Sequence, residues 1–97
     1  MATSLSATEW RSFWRQRGER ELTLLLWAVW RALPGSPTAA YGEHATRVAT
    51  LLGSRAGMPA LEAELGRMRE TLAVVADPSA DAEAARVIAA WFAEAGR

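Results

Sequence analysis

The side chains that could support acid–base chemistry are few. His44 is the only histidine in the 97 residues, and Glu43 beside it could orient an imidazole base. No serine or threonine is placed by the sequence pattern as a nucleophile for that base. We therefore expect His44 to be a structural or interface residue, and we predict a protein that has no catalytic residues and is not an enzyme.

The acidic residues do not form a pattern that indicates a metal site. Glu19 with Glu21, and Glu62 with Glu64, are two positions apart, so each pair points about 200° apart on a helix. The positions three and four residues from His44 hold no acid; they are Ala40, Tyr41, Arg47 and Val48. Without cysteine, thiolate ligands and disulfides are also excluded. We expect no metal and no cofactor.

Four predicted helices must position these side chains. Proline and glycine mark three breaks, at 34–37, 57–59 and 77–79, and no segment alternates with period two. The short connections favour antiparallel neighbours, so we predict an all-α fold, a small four-helix bundle. A flexible N-terminus is expected at 1–5, followed by one domain at 6–96. Its helices are predicted at about 7–33, 37–54, 59–76 and 79–95.

The long first helix presents two apolar clusters. Ser6 and Glu9 have the spacing of a capping box at its start. One cluster holds Trp10, Phe13 and Trp14, and the other holds Leu22, Leu25, Leu26, Val29 and Leu33. The clusters lie about 120° apart on a straight helix. Either the helix is bent or irregular near Gly18, which we favour, or its two ends touch different neighbours.

Each of the other helices has one predicted apolar face. The faces are Tyr41, Ala45, Val48, Ala49 and Leu52; then Leu61, Leu65, Met68, Leu72 and Val75; and then Ala84, Val87, Ile88, Trp91, Phe92 and Ala95. Gly96 stands where a left-handed residue would end the last helix.

The chain has more tryptophan than a core of this size requires. Four of the five tryptophans lie in the first helix, and Leu24 and Trp27 point away from its main apolar face. A helix that is apolar all round is either central in its bundle or covered by another chain. Trp27 is therefore either covered by the other helices or a contact residue in a homodimer or with a partner.

Charge gives no reason to expect a nucleic acid or a membrane as partner. Eleven arginines balance eleven acids, and the longest apolar run, Leu22–Trp30, is shorter than a membrane span. No secretory signal precedes it, so a cytoplasmic location is expected. Residues 48–72 resemble the helix-turn-helix of region-four-type sigma factors, but Glu62 and Glu64 would repel the DNA backbone.

Residues 13–75 also resemble a family of small, helical, uncharacterised bacterial proteins, some of them encoded near toxin or immunity loci. The resemblance rests on the leucine-rich helix, on Trp30–Gly35, on Ala39–His44 and on the amphipathic segments that follow. Arg31 stands where that family has an aspartate after its tryptophan. The resemblance implies a compact helical binding protein without known chemistry.

These observations together predict a non-catalytic protein that binds another protein, as an immunity-like protein or a small stoichiometric inhibitor. The predicted contact residues lie at the end of the first helix and the start of the second: Trp27, Trp30, Arg31, Tyr41, Glu43 and His44. The alternatives are a helix-turn-helix-like, DNA-associated regulator that acts through residues 48–72 and a homodimeric helical scaffold.

Overall fold

Four helices make up an all-α bundle, as the sequence predicts. The computed structural model describes residues 3 and 5–95, and this part of the chain contains no strand. The first helix, α1, spans residues 7–30. A 3-10 turn at Thr38–Tyr41 leads into α2, which is followed by α3 and α4. These three helices are Gly42–Gly53, Met58–Thr71 and Pro78–Glu94.

Helix α1 is continuous but not regular. It begins with the predicted capping box, in which the Glu9 N–H donates to Ser6 Oγ and the Ser6 N–H donates to Glu9 Oε1. The backbone stays right-handed at every internal junction. Its four segments are α-helical Ala7–Phe13, π-helical Trp14–Gly18, α-helical Glu19–Leu25 and π-helical Leu26–Trp30. The irregularity expected near Gly18 is therefore a π segment within an unbroken helix.

The first π segment brings the two apolar clusters onto one side. The Glu19 N–H donates to the carbonyl of Trp14, five residues back instead of four. A π turn holds one residue more than an α turn, so Trp10 and Leu22 are offset by about 20° instead of about 120°. Both side chains are buried in the same core.

The aromatic residues at the start of α1 pack against the end of α4. The Trp10 ring meets Phe92 edge-on with 4.9 Å between ring centroids, and Phe13, Trp14 and Trp91 surround it. Glycine makes room for these rings: a Cβ on Gly18 would lie 3.0 Å from the Phe13 ring, and one on Gly53 would lie 3.2 Å from Trp10 Nε1. This cluster belongs to the core and its border.

Helices α2 and α4 bury their predicted apolar faces, and α3 does so in part. All five residues of the apolar face predicted for the second helix are buried, from Tyr41 in the preceding 3-10 turn to Leu52 in α2. In α4 the predicted face is buried at Ala84, Ile88, Phe92 and Ala95, and half-buried at Val87 and Trp91. Leu61, Leu65 and Met68 of α3 complete the core, but Val75 is 87% exposed. The prediction was wrong for Val75 because α3 ends at Thr71 and not at 76.

Three helices end at a non-glycine residue in the left-handed conformation. These residues are Arg31, Arg55 and Ala73, which follow α1, α2 and α3 with φ of 56°, 61° and 57°. Helix α1 therefore ends at Trp30, three residues before the expected 33. Helix α2 begins at Gly42 instead of the expected 37, because the 3-10 turn Thr38–Tyr41 precedes it. The predicted left-handed Gly96 lies outside the described residues. In the N-terminal segment expected to be flexible, the Thr3 hydroxyl donates to the Ala95 carbonyl at 2.8 Å.

Candidate functional site

The side of α1 that faces away from the bundle carries an exposed apolar centre. Arg20, Leu24 and Ala28 are four residues apart, Trp27 is three residues after Leu24, and Arg31 is four residues after Trp27, directly beyond the helix end. These spacings place the five residues on one side of α1. We call these five residues the outer face of α1. All five are exposed, and Leu24 and Trp27 retain 50% and 43% of their accessible surface. The other four tryptophans pack in or against the core.

A groove of about 700 Å³ runs from the outer face to the loop that follows α1. It brings together three of the predicted contact residues, Trp27, Arg31 and Tyr41. Its remaining lining residues are Ala28, Leu33, Pro34, Gly35 and Ser36. The loop is held by the Leu33 N–H, which donates to the Tyr41 hydroxyl at 2.9 Å. The juxtaposition arises because the left-handed Arg31 turns the chain back beside Trp27.

Three residues of the predicted contact set are core residues instead. Trp30 and Tyr41 are each 1% exposed and His44 is 7% exposed. They pack on one another: the Trp30 ring lies edge-on to Tyr41 and to His44, with centroid distances of 6.2 and 5.7 Å. Their side chains cannot anchor a partner in this conformation, so the prediction is wrong for these three residues. Trp27, Arg31 and Glu43 are exposed, and their contact with a partner stays a prediction.

His44 lies in the core as a neutral imidazole. Burial lowers its pKa from the ordinary value of 6.5, and the nearby Glu43 carboxylate opposes that shift. Its Nδ1 is buried and has no hydrogen-bond partner within the described part of the chain.

A buried polar network joins α1, α3 and α4. Arg69 Nε lies 2.7 Å from Asp81 Oδ1, and the indole Nε1 of Trp30 donates to the same oxygen at 2.8 Å. Arg69 Nη2 also donates to the Trp30 carbonyl at 3.0 Å, and its guanidinium lies 5.3 Å from the centroid of the Trp30 ring. The network fixes the end of α1, and therefore the position from which Arg31 leaves the helix.

This network was not predicted from the sequence. The spacing of Arg69 and Asp81 from the apolar residues of their helices does indicate the network. Arg69 is four residues after Leu65 and eight after Leu61, and Asp81 is three before Ala84 and seven before Ile88, so both occupy apolar-face positions. An acid and a base at core positions of two helices indicate a buried pair, because neither charge is stable there alone.

A second groove of about 700 Å³ lies between α3 and α4 above this network. Its wall includes Gly66, where an added Cβ would lie 3.6 Å from Asp81 Oδ2. Glu62, Glu70 and Asp77 contribute acids to its rim. Asp77 also accepts a hydrogen bond from the Ala80 N–H and caps α4.

The described part of the chain offers no cluster of three or more side chains that could hold a metal ion. Among the same residues, no helix combines the length and the apolar character needed to span a membrane. Comparisons with models of protein families, with characterised proteins and with solved structures find no match. The resemblance to a small helical bacterial family therefore stays a prediction.

Proposed function

We propose that the protein binds another protein stoichiometrically and without catalysis, and that the outer face of α1 is its contact surface. The observation that carries this proposal is the exposure of Trp27 and Leu24 side by side. Internal packing accounts for Trp10, Trp14, Trp30 and Trp91 but not for Trp27. Tryptophan and arginine are the residues that dominate binding energy at protein interfaces.

The rigidity of this surface supports the proposal. Helix α1 packs on both α2 and α4, and its end is fixed by the Trp30–Asp81–Arg69 network. A preorganised helix face loses little conformational freedom on binding, which favours tight association. Such a surface suits a small protein that caps a partner, and an immunity-like protein or an inhibitor is the version we favour.

Site-specific photo-cross-linking tests the proposal. A photoreactive phenylalanine analogue replaces Trp27 in cells that naturally produce the protein, and the matched control carries it at Ala60. Ala60 is also exposed, but it lies on α3, which packs chiefly on α2 and α4. We expect one discrete adduct with a second polypeptide from position 27, and none from position 60.

The outcomes separate the candidate functions. A 1:1 adduct with a different polypeptide supports the binding proposal. An adduct that contains only two copies of this chain indicates the homodimeric scaffold instead. The proposal is wrong if positions 24, 27 and 28 all give no adduct, or if position 60 gives the same adduct as position 27.

A further inference from the structure

The apolar centre of the outer face lies between two arginines. Arg20 and Arg31 are eleven positions apart, which corresponds to about 16.5 Å along a helix, and Leu24 and Trp27 lie between them. Both arginines are exposed. Within residues 5–95 neither side chain forms a hydrogen bond or an ion pair, whereas Arg17 nearby is paired with Glu21 at 2.9 Å.

The acids of α1 are engaged mainly away from the outer face. Glu9 is held by the capping box at the helix start. Glu21 accepts from the Trp91 indole and from Arg17; these hydrogen bonds and the positive charges of Arg17 and Arg20 lower its pKa, while burial raises it. Glu19 precedes Arg20 by one residue and therefore points about 100° away on the helix. The outer face therefore has an arginine at each end of its apolar centre, and the Glu21 carboxylate partly offsets the charge of Arg20 but not that of Arg31.

We infer that the partner docks an apolar patch flanked by carboxylates on the outer face of α1, an inference that rests on the proposed protein-binding function. Arg31 and Arg20 would each take a carboxylate in a charge-assisted hydrogen bond, while Trp27 and Leu24 meet the apolar centre. An amphipathic helix with an acid near each end of its apolar stripe has this chemistry. The groove beside Trp27 would receive one of its apolar side chains.

The observations favour a protein partner over a lipid surface or a nucleic acid. Anionic membranes and nucleic acids attract broad basic surfaces, and their affinity increases with the number of contacting cations. The outer face offers two arginines on a chain with no net charge. Two separated charges around an aromatic centre match a localised complementary patch instead.

Two pools of synthetic helical peptides provide the probe. Both pools carry randomised apolar residues at positions i, i+3, i+4 and i+7; one has glutamates at each end of this stripe and the other has lysines. We expect selection on the immobilised full-length protein to enrich the glutamate pool at least ten-fold over the lysine pool. Fluorescence anisotropy of the best glutamate peptide should show binding that weakens several-fold between low and high salt.

Charge-reversal variants assign the effect to the two arginines. Arg20→Glu and Arg31→Glu should each weaken binding of that peptide at least ten-fold, and the double variant should bind the lysine pool instead. Arg55→Glu is the matched control, because Arg55 is also exposed, follows a helix and has a left-handed backbone. It should leave binding unchanged, and circular dichroism should show that all variants remain helical.

Failure of this inference is distinguishable from failure of the proposed function. The inference is wrong if the lysine pool is enriched as much as the glutamate pool, or if Arg55→Glu weakens binding as much as Arg31→Glu. Arginine-dependent binding to phosphatidylglycerol vesicles or to a random DNA duplex, in place of the peptides, would also overturn it. In the first two cases a position-27 cross-link to another polypeptide would still support the proposed function.

Discussion

Arg69 and Asp81 form an ion pair inside the bundle, with side chains only 7% and 8% exposed and a distance of 2.7 Å between Nε and Oδ1. The Trp30 indole shares the carboxylate oxygen, so one acid ties α4 to both α3 and α1. Removal of one member of such a pair leaves the other charge unpaired in the core. The ion pair therefore has large effects on stability although it lies away from the exposed surface of α1.

Substitution of Asp81 should destabilise the fold strongly. We expect Asp81→Ala to lower the free energy of unfolding by about 3–5 kcal/mol, and the double variant Arg69→Met/Asp81→Leu to recover much of that loss. Glu83→Ala is the control, because its ion pair with Arg86 is exposed and should contribute under about 1 kcal/mol. Urea denaturation measures the free energy of unfolding of all three variants. Equal losses of stability in Asp81→Ala and Glu83→Ala would contradict the expectation.

Two glycine-to-alanine substitutions should have opposite effects on the stability of the fold. Gly42→Ala places a Cβ in open space at the start of α2 and should stabilise the protein by up to about 1 kcal/mol. Gly18→Ala also enters a right-handed backbone, but its Cβ would lie 3.0 Å from the Phe13 ring and 3.1 Å from the Trp14 ring. We expect a loss of about 1–3 kcal/mol. Thermal denaturation of the two variants measures whether each gains or loses stability. If Gly18→Ala is stabilising, the Phe13 and Trp14 rings must move aside to accommodate the added Cβ.

The burial of His44 predicts a pH dependence of stability. Because burial lowers its folded-state pKa below 6.5, the unfolded chain binds the proton more readily. Stability should be complete above about pH 6.5 and fall as the pH decreases towards the folded-state value, by up to about 1.4 kcal/mol per pH unit. Urea denaturation between pH 7.5 and 5.5 measures this.

His44→Gln is the control for that measurement and should remove the slope. Glu9 and Glu21 do not interfere, because hydrogen bonds lower both pKa values from 4.5 and keep the two carboxylates ionised in this range. A slope that persists in His44→Gln would assign the dependence to another group.

The three left-handed helix ends should accept glycine. Arg31→Gly, Arg55→Gly and Ala73→Gly each remove the conflict between a Cβ and a left-handed backbone, which costs about 1 kcal/mol or more. The greater freedom of glycine in the unfolded chain offsets part of this gain. We expect each variant to unfold at a higher temperature by calorimetry. Loss of stability in Arg31→Gly alone would show that its side chain contributes to the fold.

Local signals in the sequence were sufficient for much of the fold. The capping box at Ser6 and the apolar face of α2 depend on neighbouring residues only, and both are found as predicted. The register of α1 was not predictable in this way, because a calculation at a uniform 100° per residue cannot contain a π turn. The end of α3 was missed because Ala73 carries no glycine-like signal, yet it turns the chain and leaves Val75 in solvent.

The candidate site was predicted in part. Trp27 and Arg31 could be found because each lies off the main apolar stripe of a long helix. Trp30, Tyr41 and His44 were predicted as contact residues, although Tyr41 also belongs to a predicted apolar face, because local spacing does not show that the loop at 31–37 folds back over the end of α1. Their burial depends on partners far along the chain, including Asp81, fifty-one residues after Trp30.

The π segment at Trp14–Gly18 has a consequence for insertions and deletions. Loss of one residue there, such as Gln16, would convert the wide turn to an ordinary one, and the helix beyond it would keep its orientation. Loss of Arg20 from the regular segment Glu19–Leu25 would instead rotate the indole of Trp30 by about 100° away from Asp81. Length variation in this helix should therefore be tolerated at the wide turn and nowhere along the regular segment that follows it.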